Sequence, residues 1–253
     1  MGKSFSHYNG ELGLNMLDPQ PTTGMWGSPF DYATQAVLYA PKSMPDPNSP
    51  DFIDAVIEEA VPVIRAAQGR TFVLCTSLRA MQRIHEGLES RFHRQALDFP
   101  LLLQGQASRS ELLERFRRLG NAVLVASQSF WEGVDVPGDA LSVVIIDKLP
   151  FAPPDDPVLK ARVEWIEKQG RNPFMDYQLP RAVISMKQGA GRLIRTEQDR
   201  GVLMVCDPRM VSKPYGRRIW QSLPAMRRSQ IREDVIEFLE NLPAPARVSR
   251  HGE

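Results

Sequence analysis

The stretch NAVLVASQSFWEGVDVPGDALSVVIID, residues 121–147, holds two apolar runs separated by an acidic, glycine-bearing loop. AVLVAS (122–127) and LSVVIIDKLPF (141–151) are mostly continuous apolar runs, without the alternation of a half-exposed strand. That pattern predicts strands covered on both faces, as in a parallel sheet. Outward along the chain, TFVLCT (71–76), PLLLQG (100–105) and GVLMVCD (201–207) read the same way. Segments with helical spacing lie between them: FIDAVIEEAVPVIRAA (52–67, with Pro62 inside it), RAMQRIHEGLESRF (79–92), SELLERFRRLG (110–120), 157–169, 176–190 and IREDVIEFLENL (231–242). Strand and helix alternate from residue 51 onward, which predicts a doubly wound α/β domain with a mostly parallel sheet flanked by helices. Ligands of such folds gather outside the carboxyl ends of the strands. The segments that follow AVLVAS and LSVVIID are therefore the first places to look for a site.

Residues 1–50 are rich in proline and glycine, which break long helices. They read as an irregular arm containing one short strand, AVLYAP (36–41), with a start that reads as a tag or disordered. The expected organisation is an arm over 1–50, one domain over 51–242 and a tail over 243–253.

The formal net charge of the chain is +1, which does not mark it as a nucleic-acid or membrane binder. The sum hides an asymmetry. Residues 1–69 carry 3 basic and 8 acidic side chains, net −5, whereas residues 160–232 carry 16 basic and 6 acidic, net +10. No apolar run approaches the ~20 residues of a membrane span, and MGKSFSHYNG has no apolar core of a secretory signal. The only cysteines are Cys75 and Cys206, both inside apolar runs. Two cysteines cannot build a disulfide framework or a four-cysteine zinc or iron–sulfur site. A reducing, cytoplasmic compartment is the expectation.

Two segments carry chemistry. SQSFWEGVDVPG (127–138) follows a strand and contains Glu132, Gly133, Asp135 and Gly138. Glycines permit a tight loop, and the two carboxylates suit ribose hydroxyls, a metal-bound water or a basic side chain. By itself the loop reads more readily as a turn whose acids are solvated or pair with arginines. QGAGRLIR (188–195) places Arg192 and Arg195 three apart, on one face if the segment is helical. Two guanidinium forks beside small residues suit phosphate oxygens; the plainer alternative is a basic surface with structural ion pairs.

Read together, the blocks SPFDYATQAVLYAP (28–41), SFWEGVDVPG (129–138), KLPFAPPDDPV (148–158), NPFMDYQLPRA (172–182) and QGAGRLIR (188–195) resemble the DinG/YoaA-type, XPD-like helicases of superfamily 2. The resemblance runs from about residue 28 to about residue 240 and is to the C-terminal RecA-like motor domain. It implies that Arg192 and Arg195 are motif VI arginines reaching the terminal phosphates of ATP, as arginine fingers do. It implies that Gln188 and Gly191 belong to the same nucleotide-facing block, and that Gln188 orients it. Asp135 matches the motif V acid that faces the ribose or the interdomain cleft, with Glu132 and Gly133 beside it. Thr76 and Ser77 fall at motif IV, and Ser127, Gln128 and Ser129 open motif V; in the family these hold the DNA backbone. The implied partners are single-stranded DNA and an N-terminal motor domain of the same parent, with no membrane. The implied cofactors are ATP and Mg²⁺, shared with that first domain. An iron–sulfur cluster is admitted in the missing half, with none in this chain.

The sequence contains no G-x-x-x-x-G-K-[ST] and no D-E-A-H-like motif. The expected identity is therefore the second motor half of an ATP-dependent DNA helicase of 5′→3′ polarity acting in DNA repair, inactive as an ATPase alone. Two rivals stand beside it: a UvrB-like repair ATPase, and a stand-alone RecA-like module that holds single-stranded DNA or a repair partner. Phe130, Trp131 and Tyr177 are candidate base-stacking aromatics that fit the core or a domain interface better. Lys187, Arg209, Lys213, Arg217 and Arg218 are candidate members of a DNA track. His85 and His93 have no third ligand in sight, so no metal site is expected.

Overall fold

The computed structural model describes residues 5–243, apart from residues 25, 128, 129, 131–139 and 154. In chain order the described elements are α1 (Ser6–Glu11), a 3-10 turn (Leu14–Met16), α2 (Tyr32–Gln35), β1 (Ala36–Tyr39), α3 (Phe52–Ala66), β2 (Thr71–Cys75), α4 (Leu78–Arg94), β3 (Leu101–Leu103), α5 (Arg109–Leu119), β4 (Val123–Ser127), β5 (Val143–Ile146), α6 (Pro157–Lys168), a π-helical turn (Phe174–Gln178), α7 (Leu179–Ala190), β6 (Gly201–Val205), α8 (Arg209–Ser212), α9 (Pro214–Ser222), β7 (Arg227–Ser229) and α10 (Arg232–Glu240). The strands form one sheet in the order β3-β4-β2-β5-β6-β1-β7. Every pairing is parallel, with Thr71 opposite Val123, Val143 opposite Val202 and Ala36 opposite Gly201.

The apolar runs are continuous because both faces are covered. Leu38, Leu74, Leu124, Ile146 and Leu203 point to one face, against α5, α7, α8 and α9. Their neighbours Tyr39, Val73, Val125, Ile145 and Met204 point to the other, against α3, α4 and α10. Burying each such side chain contributes roughly 1.5–3 kcal/mol. The helices follow the same logic: α3 buries Phe52, Val56, Ile57, Ala60 and Ile64 at helical spacing, and it continues through Pro62.

Several elements lie beyond the sequence reading. The one strand expected within the arm, now β1, is interior to the sheet between β6 and β7, so the sheet draws on residues from both sides of position 50. The edge strand β7 reads RRS and is mostly exposed, so it carries no apolar signal. The run 141–151 makes a strand only to Ile146, because the chain turns where Asp147 is buried. No helix among the described residues is long and apolar enough to cross a membrane.

Candidate functional site

The expected site residues separate onto opposite edges of the sheet. Thr76, Ser77 and Ser127 stand at the carboxyl ends of β2 and β4. Asp147 follows β5, and its carboxylate ties the end of β5 to that of β2. Its Oδ1 accepts from the backbone N–H of Thr76 at 2.9 Å and of Lys148 at 2.6 Å, while its Oδ2 accepts from Thr76 Oγ1 at 3.3 Å. Asp147 is wholly buried, and burial raises its pKa to about 6 despite those donors. Ser77 caps α4 by accepting from the Ala80 N–H at 3.1 Å, which places the positive end of a 17-residue helix at this edge. The Ser127 N–H and hydroxyl both donate to Gln104 Oε1, at 2.7 and 2.9 Å. Arg109 donates to the Phe130 carbonyl at 3.0 Å, with its guanidinium 5.4 Å from that ring's centroid. Neither Gln104 nor Arg109 stands out in the sequence. Gln128, Ser129, Glu132, Gly133 and Asp135 lie outside the described residues.

One strand further along, Asp207 follows β6 and is buried. It accepts from the Leu149 N–H at 2.8 Å and from Arg209 Nη2 at 2.6 Å. Arg209 is therefore committed to an ion pair rather than offered to a ligand.

Arg192 and Arg195 belong to the other edge. Helix α7 ends at Ala190, so both arginines lie past it and a shared helical face is not what relates them. Gln188 and Gly191 are exposed, the two arginines are half-buried, and Leu193 and Ile194 anchor the turn in the core. The turn is held from a distant part of the chain. Buried Gln35, the residue before β1, donates its side-chain amide to the carbonyls of Thr196 at 2.9 Å, Glu197 at 3.2 Å and Asp199 at 3.1 Å. Asp199 in turn accepts from the Arg195 N–H at 2.7 Å, the Thr196 N–H at 2.9 Å and the Thr196 hydroxyl at 2.9 Å. Since Gln35 adjoins the first residue of β1, which pairs with the first residue of β6, this turn sits at the amino edge of the sheet. The carboxyl ends were the expected place to look, and of the described candidates they hold Thr76, Ser77 and Ser127. A close approach fixes the geometry: a Cβ on Gly201 would stand 2.5 Å from both Leu193 Cδ1 and the Ser142 carbonyl oxygen.

Other candidates fall elsewhere. Phe130 and Tyr177 are buried, Tyr177 between the guanidinium groups of Arg162 and Arg181 at 5.5 and 5.3 Å. Trp131 lies outside the described residues. Lys187 is near the end of α7, away from Lys213, Arg217 and Arg218, which are exposed around α9. No group of three metal-ligating side chains forms among the described residues.

Residues 60–226 match the helicase C-terminal domain family. The chain is 46% identical over 95% of its length to the ATP-dependent DNA helicase YoaA of Haemophilus influenzae, covering 36% of that protein. It is 46% identical over 92% of its length to the YoaA of Escherichia coli, covering 35%. The chain thus spans about a third of the length of these relatives. Among solved structures it resembles an XPD helicase with a TM-score of 0.58 at 19% identity, over 78% of this chain and 36% of that one, a likeness of fold.

Proposed function

The chain belongs to the helicase C-terminal domain family, and from that premise we propose that it is the second motor domain of an ATP-dependent DNA helicase that tracks along single-stranded DNA, 5′→3′, in DNA repair. The observation that supports the reading is the placement of the two groups of candidate residues at opposite edges of one sheet. The amino edge carries Arg192 and Arg195 on a turn whose backbone is pinned by Gln35 and Asp199. The carboxyl edge holds the N-terminus of α4, capped by Ser77, beside strand ends whose hydroxyls and N–H groups are positioned by Asp147 and Gln104.

The donor set fits the phosphate tail of ATP, with Arg192 and Arg195 as the groups that would meet it. Bound ATP with Mg²⁺ supplies the phosphoryl group whose transfer drives the motor. The ligands of the ion are assigned to a first motor domain of a longer parent. Gln188 lies in the last turn of α7 and Gly191 caps it, just before the arginines. Thr76, Ser77, Ser127 and, outside the described residues, Gln128 and Ser129 are assigned to the DNA backbone. Glu132, Gly133 and Asp135 are assigned to the ribose or the cleft. In such a motor the arginines close on the terminal phosphates and withdraw after hydrolysis, and the carboxyl edge changes its hold on the strand in step.

The reading is tested on the 253-residue chain itself. It binds single-stranded DNA weakly, with an affinity that falls steeply between about 50 and 200 mM salt, and it releases no phosphate from ATP. Steady phosphate release lost in Arg195→Ala would sink the reading, as would DNA binding indifferent to salt.

A further inference from the structure

Between Asp207 and Glu233 the chain carries seven cations, Arg209, Lys213, Arg217, Arg218, Arg227, Arg228 and Arg232, and no acidic residue. Ion pairs take up two of them: Arg209 with Asp207, and Arg232 with Glu59 at 3.8 Å. Among the described residues no ion pair engages the other five. They sit on or beside α9 and the edge strand β7, and all are exposed. A run of one sign on one edge makes a field that selects a polyanion.

The same edge holds an aromatic wall. The Arg228 guanidinium lies 5.3 Å from the Trp220 ring centroid, and its Nη2 donates to the Trp220 carbonyl at 3.4 Å. Cavities open on either side. One, of about 300 Å³, is lined by Met210, Val211, Arg217 and Gln221. The other, of about 360 Å³, is lined by Lys42, Ser229, Ile231 and Asp234. Trp220, Arg228 and Gln230 line both. Asp234, the one acid, is turned to the Ser229 hydroxyl at 2.7 Å. Planar π surfaces with cations and amides at their rim suit nucleobases, which stack on aromatic rings and on guanidinium planes.

We propose that the Trp220–Arg228 wall is a base-stacking station for single-stranded DNA at the β7 end of the sheet, with Arg217 and Lys42 on the flanking phosphates. The proposal rests on the reading of this chain as a DNA-tracking motor domain, and it lengthens the track. Lys42 and Ser229 follow or close β1 and β7, so the wall continues the carboxyl edge. From β4, which carries Ser127, to β7 is five strand spacings, about 24 Å at roughly 4.8 Å each. Stacked at about 3.4 Å per nucleotide, some seven nucleotides would link the two. An acidic protein surface would meet the same cations but would have no use for two clefts beside an indole.

The experiment is binding of a fifteen-nucleotide oligothymidylate to the 253-residue chain over a salt series, with an abasic strand of equal length in parallel. Arg217→Ala with Arg228→Ala weakens oligothymidylate binding about tenfold and flattens the log–log salt slope by roughly 0.7 per lost phosphate contact. Trp220→Phe retains most of the affinity, and it abolishes whatever quenching of indole fluorescence the oligonucleotide causes at this site. Trp220→Leu weakens oligothymidylate about tenfold and leaves the abasic strand unchanged, as loss of a stacking partner does. Thermal melts verify that each variant is folded. Wild-type binding unaffected by the Arg217 and Arg228 substitutions would overturn the station and leave the functional reading standing. Absence of any salt-dependent binding by the wild type would overturn both. Displacement of the oligonucleotide by polyglutamate at equal charge concentration would assign the patch to an acidic protein instead.

Discussion

The two edges of this sheet are built by different means. At the amino edge the working residues lie on a turn held from outside: Gln35, some 160 residues earlier, fans one amide over three carbonyls, and Asp199 grips the backbone of Arg195. At the carboxyl edge the working residues are the strand ends themselves, cross-linked by a buried carboxylate and an amide on neighbouring elements. The first arrangement fixes the backbone that carries Arg192 and Arg195, as the proposed role at the phosphates requires. The second fixes a row of short donors while leaving the loops beyond them to adapt. A motor that must hydrolyse at one place and grip at another has reason to keep the two apart.

The strongest way to break this comparison is at the arginines. In a longer protein that joins this chain to a first motor domain, Arg195→Ala lowers steady ATP turnover by about 10³-fold or more, and DNA affinity changes little. Equal losses in both would show that the two edges are not separate. The next effect concerns the buried carboxylate. The pKa of Asp147 is raised to about 6 in the folded protein, above an ordinary value of roughly 3.9. The folded state holds this proton more tightly than the unfolded chain does. The stability it contributes is therefore fully present below about pH 4 and is lost as pH rises through about 6. Asp147→Asn, which cannot ionise, gains on the wild type across that window by up to about 3 kcal/mol. Denaturant melts at several pH values check this, and a gap that stays constant with pH would contradict it.

A smaller effect is expected at Gln35. Its removal takes one donor from the carbonyls of Thr196, Glu197 and Asp199, the last two of which keep Arg200 Nη1; it costs about 1 kcal/mol and lowers ATP turnover in the longer protein more than DNA affinity. The smallest concerns Gln104. Gln104→Ala frees the N–H and hydroxyl of Ser127 from their shared acceptor and weakens single-stranded DNA binding about tenfold, with ATP turnover largely kept. Fluorescence anisotropy with a labelled oligonucleotide reads this; unchanged affinity would mean that Ser127 is not part of the track.

Much of the fold was legible in the sequence because its strands are unbroken apolar runs. The strand 122–127 and the helices at 52–67 and 110–120 lie within a residue or two of their observed bounds. What escaped has physical reasons. The edge strand β7 pairs on one side only and is made of arginines, so it has no apolar face to announce it. Arg192 and Arg195 were legible as a candidate pair, but their place at the amino edge was not. It depends on Gln35 and Asp199, an ordinary amide and an ordinary acid whose meeting is a property of the folded chain. Asp147 and Asp207 lie inside segments read simply as strands, and only their burial and hydrogen bonds show that they hold neighbouring strand ends.

The central claim, that grip and hydrolysis belong to opposite edges, is tested most directly by the DNA affinity of two sets of variants of the 253-residue chain at one salt concentration. Arg192→Lys with Arg195→Lys keeps the charge and alters only the guanidinium forks; Gln104→Ala with Ser127→Ala alters only the carboxyl edge. The account predicts wild-type affinity for the first set and a loss of about tenfold or more for the second. Loss in the first set with full affinity in the second would contradict it.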